Sequence, residues 1–222
     1  MVGAWLLLAA LASPFLRAGG DSGSDSLVVN NARNKSTPLP VKYADRIAAI
    51  PGVAAVNYTD LQMLVCAGST VTVNAVGGPI DANELTKDGH DGQAVARWRD
   101  DPIGLLVSQS AADACGWQVG QGIEPLDVRG QSLRFHVSGI ASVKDDDPRA
   151  KAHYDYVNRQ HSLVAGEGRV LLFSVEALDP GDNHALAARI DAEFAQDDPP
   201  VTAYPDTARE DARARFGRVQ YL

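Results

Sequence analysis

The chain has 222 residues, of which 45% are apolar and 22% charged, a globular composition that excludes disorder, collagen and coiled coil. Twenty basic against 28 acidic residues leave a net charge of −8, which argues against nucleic acid as a partner. A mean hydropathy of −0.14 with one long apolar stretch excludes a polytopic membrane protein, and two cysteines are too few for a disulfide scaffold or a zinc site.

Met1–Leu16 carries no charged side chain, and Arg17 leads into the polar linker Gly19-Gly20-Asp21-Ser22-Gly23-Ser24. The stretch is shorter than the ~20 residues that span a bilayer. It also lacks the basic start of a signal peptide. It is read as a partial transmembrane helix or a signal-like segment over 1–17, with a linker over 18–26. Leu27–Asn31 reads as a strand. Pro38 and Pro40 introduce a helix over Val41–Ile50, with Val41, Ala44, Ile47 and Ala48 on one face and Pro51-Gly52 as its stop. Val53–Tyr58, Leu61–Ala67 and Val71–Val76 are β-rich runs split by turn residues, as in a meander. Gly77-Gly78-Pro79 punctuates the chain.

Residues 81–102 are polar and helix-prone, anchored by Trp98. Ile103–Val107 is a predicted strand. Ser110 to Asp113 has the form of a capped helix start, and Gly116 its end. Ile123–Val128 and Leu133–Ile140 read as a strand pair around Arg129-Gly130-Gln131, followed by a charged loop over Lys144–Arg149. Arg169–Val175 and Val201–Ala203 are predicted strands, and His184–Gln196 a helix with the stripe Leu186, Ile190 and Phe194. Thr207 to Glu210 has the form of a capping box for a last helix. That helix carries Ala208, Ala212, Phe216 and Val219 on one face, acids early and arginines late.

Residues that carry chemistry are sparse. No P-loop, HExxH or GxSxG occurs. Lys87-Asp88-Gly89-His90-Asp91-Gly92 has the residue types of a metal or acid–base loop, but an EF-hand fails because Leu85 and Thr86 fall at ligand and glycine positions; the reading is a solvated turn. Asp145-Asp146-Asp147 reads as a solvated charge run. His153, Asp155 and His161 read as surface or subdomain-contact groups, and His136 as a cross-strand neighbour. Gly116 to Gly122 lacks dinucleotide-loop spacing and reads as a helix stop and turn. Cys66 and Cys115 are either a disulfide of an oxidising compartment or two buried thiols. No catalytic, cofactor-binding or metal residue is assigned, and no cofactor is expected.

The order of segments resembles the periplasmic core domain of MacB-type (FtsX-like) ABC transporter permeases over roughly residues 27–220. The resemblance rests on five phrases. They are Pro38-Leu39-Pro40 leading to Tyr43–Val56 through Pro51-Gly52-Val53; Gly104–Ser108 with Ala111–Gly120; Phe135–Ile140; His153–Asn158; and Ala187–Ala195. Two positions depart from the family pattern: Gln121 stands where an acid is common, and Cys115 where a larger apolar residue is usual. The resemblance implies an α/β (α+β) fold, a mixed sheet packed with helices and carrying an inserted smaller β-rich subdomain. Residues 27–79 and 156–204 would form the main subdomain, 80–155 the insertion, and 205–222 a stalk helix toward a missing transmembrane helix, in a chain truncated after the domain. It implies an extracytoplasmic domain of an inner-membrane permease, not an enzyme, that couples ATP hydrolysis to substrate export or transmembrane mechanical signalling. The implied partners are a cytoplasmic ABC ATPase subunit, a second permease copy or paired permease, and the membrane. The competing readings are a stand-alone tethered or secreted binding module and a small extracytoplasmic enzyme.

Overall fold

A computed structural model describes residues 26–142, 147–161 and 168–206. The N-terminal apolar segment, the linker and the last helix lie outside these residues. Among the described residues ten strands form a mixed sheet in the order β12-β1-β11-β3-β4-β9-β5-β8-β6, with β7 beside β3, and two more form a separate pair β10-β2. The strands are β1 (Ser26–Asn31), β2 (Leu39–Pro40), β3 (Val53–Cys66), β4 (Ser69–Gly77), β5 (Gly104–Val107), β6 (Gly122–Ile123), β7 (Leu126–Asp127), β8 (Phe135–Ile140), β9 (Arg149–His153), β10 (Arg169–Val170), β11 (Leu172–Ala177) and β12 (Val201–Pro205). The helices are α1 (Tyr43–Ala48), α2 (Ala82–Lys87), α3 (Gly92–Asp100), α4 (Gln109–Cys115), α5 (Tyr154–His161) and α6 (Asn183–Glu193). Among the described residues no helix is long and apolar enough to cross a membrane.

The sheet has two neighbourhoods. In the first, β12, β1, β11 and the start of β3 pair antiparallel, and α1 and α6 pack on them. The α6 stripe Leu186, Ile190 and Phe194 recurs every fourth residue, so all three side chains enter one core with Leu27, Val29, Ile47, Phe173 and Val175. Phe194 lies 4.7 Å from the Tyr43 ring, and Arg46 spans its outer side to reach Glu193 and Asp197. The α1 stripe differs from the expected one: Tyr43 and Ile47 are buried and Ala48 is exposed, because the helix starts two residues later than Val41 and presents its larger side chains to the core.

In the second neighbourhood, β4 and β9 run parallel, as do β5 and β8, and β9 joins β5 antiparallel. One face buries Leu64, Val71, Val73, Leu105, Val107, Phe135 and Val137 against Ala111 and Ala112 of α4 and Val157 of α5. The other face buries Leu106 against Leu85 of α2 and Ala94, Val95 and Trp98 of α3. Each such large apolar side chain stabilises the fold by about 1.5–3 kcal/mol. The close approach of α3 requires Gly139, since a Cβ there would come 2.3 Å from that of Ala94.

Other elements also differ from the sequence-based expectation. The runs Val53–Tyr58 and Leu61–Ala67 are one strand, β3: Thr59 and Asp60 do not turn but continue the ladder opposite Val76 and Ala75. The cap of α4 is Ser108, whose Oγ accepts from Ala111 N at 3.2 Å; Ser110 sits inside the helix and donates to the Asp147 carbonyl. Gly116 closes α4 in the left-handed region at φ 67°. The strand expected at Ile123–Val128 divides into β6, which pairs with β8, and β7, which pairs with β3 instead. Arg149, placed at the end of a charged loop, opens β9, where Ala150 and Ala152 alternate inward.

Candidate functional site

The structure distributes the sequence-derived candidate residues into separate structural roles. Asp91 caps α3, accepting from Ala94 N at 2.7 Å. Asp88 forms an ion pair with Lys151 on β9. Gly89 O accepts from Ser142 N and Oγ. Together these hold the α2–α3 connection against the sheet. His90 in that connection is buried at 6% exposure, its Nδ1 has no hydrogen-bond partner, and burial holds its imidazole below the usual histidine range. A buried imidazole of this kind fills space in the helix connection.

His153 faces α3. Its ring stacks on Trp98 with centroids 4.0 Å apart, and its Nε2 donates to the Trp98 carbonyl at 2.6 Å. Asp155 turns to solvent and pairs with Arg159 one helical turn on. The His161 side chain lies outside the description, as do Asp145 and Asp146. His153 and Asp155 therefore do not converge. His136 Nδ1 lies 2.7 Å from Asp101 Oδ2, a half-exposed pair at the β8 edge that joins the strand to the end of α3. Among the described residues no group of three or more His, Cys, Asp or Glu side chains can hold a metal ion.

Two buried polar features were not legible as such. Asp60 and Gln62 on β3 are almost wholly buried between the two apolar neighbourhoods. Nearby, burial first and the Asp60 charge second push the Tyr154 phenol well above its ordinary range, and its hydroxyl donates to the Arg169 carbonyl. Asp127 on β7 is also buried. Burial alone would raise its carboxyl, but backbone hydrogen bonds from Gln131 and Arg129, each 2.8 Å, and the Arg129 side chain hold it below the usual range. An aspartate followed two and four residues later by donors in a Gly-containing turn is the sequence signal for this loop.

Cys66 and Cys115 form a disulfide with Cα atoms 5.4 Å apart, tying the end of β3 to the end of α4. It closes a loop of 49 residues, which contributes about 4 kcal/mol in the chain-entropy account. Ser26 and Asp206 also meet: Asp206 N donates to Ser26 O at 3.1 Å, so the two ends of the described chain leave the sheet at one place.

No protein-family model matches the sequence, and no curated protein matches it. Solved structures do. The periplasmic region of MacB from Actinobacillus actinomycetemcomitans superposes with a TM-score of 0.58 at 12% identity, covering 86% of this chain and 92% of that one. The extracellular domain of the noncanonic ABC-type transporter YknZ from Gram-positive bacteria superposes with a TM-score of 0.55 at 9% identity, covering 81% and 99%. At these identities the likeness is one of fold, extending over nearly the whole of each neighbour: the chain has the fold of a MacB-type periplasmic domain.

Proposed function

We propose that this chain is the extracytoplasmic domain of an ABC transporter permease subunit, and that it couples cytoplasmic ATP hydrolysis to substrate export or to mechanical signalling across the membrane. The observation that carries the reading is the fold likeness to MacB and YknZ domains along almost their full length. The juxtaposed Ser26 and Asp206 suit a domain suspended between two membrane segments. A disulfide suits an oxidising compartment. A mechanical role is in keeping with the described candidates Asp91, His153 and Asp88, which cap a helix, stack on Trp98 and pair with Lys151.

In this reading residues 27–79 and 156–204 form the main subdomain and 80–155 an insertion into it. Residues 205–222 form a stalk that transmits motion as a rigid element. The partners are a cytoplasmic ABC ATPase and a second permease.

Protease added to intact spheroplasts tests the location, and affinity purification from detergent-solubilised membranes tests the partner. We expect external digestion of the domain and co-purification of an ATPase whose turnover loses its coupling to transport when 205–222 is deleted. Protection from external protease, or unchanged coupling after the deletion, would overturn the reading.

A further inference from the structure

The Cys66–Cys115 disulfide joins two elements that are each fixed by other means. Cys66 ends β3, whose ladder with β4 runs unbroken from Tyr58 opposite Gly77 to Cys66 opposite Ser69. Cys115 ends α4, whose first turn is held by Ser108: its Oγ accepts from Arg149 N at 3.0 Å and from Ala111 N at 3.2 Å. Ser110 adds its bond to the Asp147 carbonyl, and Ala111 and Ala112 enter the core of the second neighbourhood. Between the β3–β4 turn and α4 the disulfide stands alone among the described residues: no hydrogen bond or ion pair joins residues 66–69 to residues 109–117.

The bond lies within reach of solvent. Both cysteines are half-buried at the rim of that core, and Val65, Ala67, Gly68 and Gly116 beside them are exposed. Disulfides in exposed or conformationally costly settings are the ones that thiols reduce, whereas sealed ones resist. The turn beyond Cys66 is such a setting. Ala67 and Gly68 both have positive φ, 47° and 82°, as in the two-residue hairpin turn that favours Asn-Gly. Gly68 takes this conformation freely, but Ala67 brings its Cβ close to a carbonyl oxygen. With Cys66 tethered the turn is held in this form; with the tether cut it frays and the crowding is relieved.

We propose that the Cys66–Cys115 bond is a redox-sensitive latch, opened by a low-molecular-weight thiol while the rest of the domain stays folded. A thiolate attacks one sulfur. The bond between the cysteines breaks as a mixed disulfide forms, and the other cysteine leaves as a thiolate that takes up a proton. A second thiol attacks the mixed disulfide, releases the remaining cysteine and departs as the small disulfide. The domain gains two electrons and two protons, and the two small thiols are oxidised. In the open state the last turn of α4 and the β3–β4 turn part from each other. The Ser108 cap and the β3–β4 ladder persist, so the opening is local. The proposal draws on the extracytoplasmic reading only for the compartment whose thiols and oxidants set how much of the latch is open.

The test titrates the full chain with reduced glutathione in native buffer, quenches with iodoacetamide and counts alkylated cysteines by mass. We expect full reduction without denaturant. Buried Trp117, two residues beyond Cys115, should brighten in step as the neighbouring disulfide ceases to quench it. Hydrogen exchange of the reduced chain should quicken at residues 66–69 and 113–117, while β5, β8 and α6 keep their protection. Ala67→Asn places a residue suited to the turn and should make the bond about fivefold harder to reduce at equilibrium. Reduction that needs denaturant, loss of protection that spreads through β5 and β8, or a bond as easily reduced in Ala67→Asn as in the unchanged chain would overturn the proposal. Each of these outcomes leaves the protease-accessibility result of the preceding section standing, so the two readings fail separately.

Discussion

The two neighbourhoods of the sheet are built by different means. The first joins β12, β1, β11 and β3 in antiparallel order and covers them with the apolar stripes of α1 and α6. Its central strand β1 buries five of its six residues, and its partners β11 and β12 bury three of six and two of five. The second relies on parallel pairing between strands far apart in sequence, on Trp98 and on a disulfide. Its face over β3 and β7 is left to solvent. The difference teaches that a helix stripe is a self-sufficient local device, whereas a parallel ladder needs loops closed and elements tethered before it pays back its entropy.

The comparison can be broken or sharpened by experiment. Phe173→Ala removes a wholly buried ring from the first core and should cost about 3–5 kcal/mol. Residue-resolved hydrogen exchange should show the loss first in β1, β11 and α6. Equal loss in β5 and β8 would mean that the two neighbourhoods unfold as one. Replacing both cysteines with serine should cost about 2–4 kcal/mol and should loosen α4 and the β3–β4 turn; reducing agent should then have no further effect on the melting curve. Ser108→Ala should cost about 1 kcal/mol by loss of the α4 cap, measured by urea unfolding, whereas Ser110→Ala should cost less.

The smallest effect concerns His90. Its folded imidazole binds a proton less readily than the unfolded one. Its contribution to stability is therefore fully present above the unfolded value of about 6.5 and declines as pH falls below it. The groups around it are Asp88, Asp91 and Lys151. Relative to the intrinsic exchange rate at each pH, protection of the α2–α3 amides should fall modestly between pH 7 and 5, and His90→Leu should flatten that dependence.

Sequence reveals what is periodic and local. The α6 stripe, the Pro51-Gly52 stop and the Trp98 anchor are each set by neighbours within a turn or two, and each stands where the pattern puts it. Thr59-Asp60 misleads because an aspartate between apolar runs has the composition of a turn, while tertiary burial beside Tyr154 keeps it in the strand. Strand β9 escapes notice because Arg149-Ala-Lys-Ala-His alternates charge with alanine, and alanine carries little signal even when wholly inside. The candidate residues Asp88, His90 and Asp91 are adjacent in sequence, but adjacency does not make them converge: one pairs, one fills space and one caps. Two cysteines 49 residues apart give no local sign of pairing; only the packing of α4 against β4 and β9 brings them within reach.

The meeting of Ser26 and Asp206 has a mechanical consequence. Strands β1 and β12 are antiparallel neighbours, with the start of β1 beside the end of β12. The bonds between such strands lie across the strand direction. A force that separates the two ends therefore opens the pair like a zipper, loading one bond at a time at low force. A force that displaces both ends together loads no bond in that ladder and tilts the sheet as a plate, with its greatest excursion at the far tip of β3.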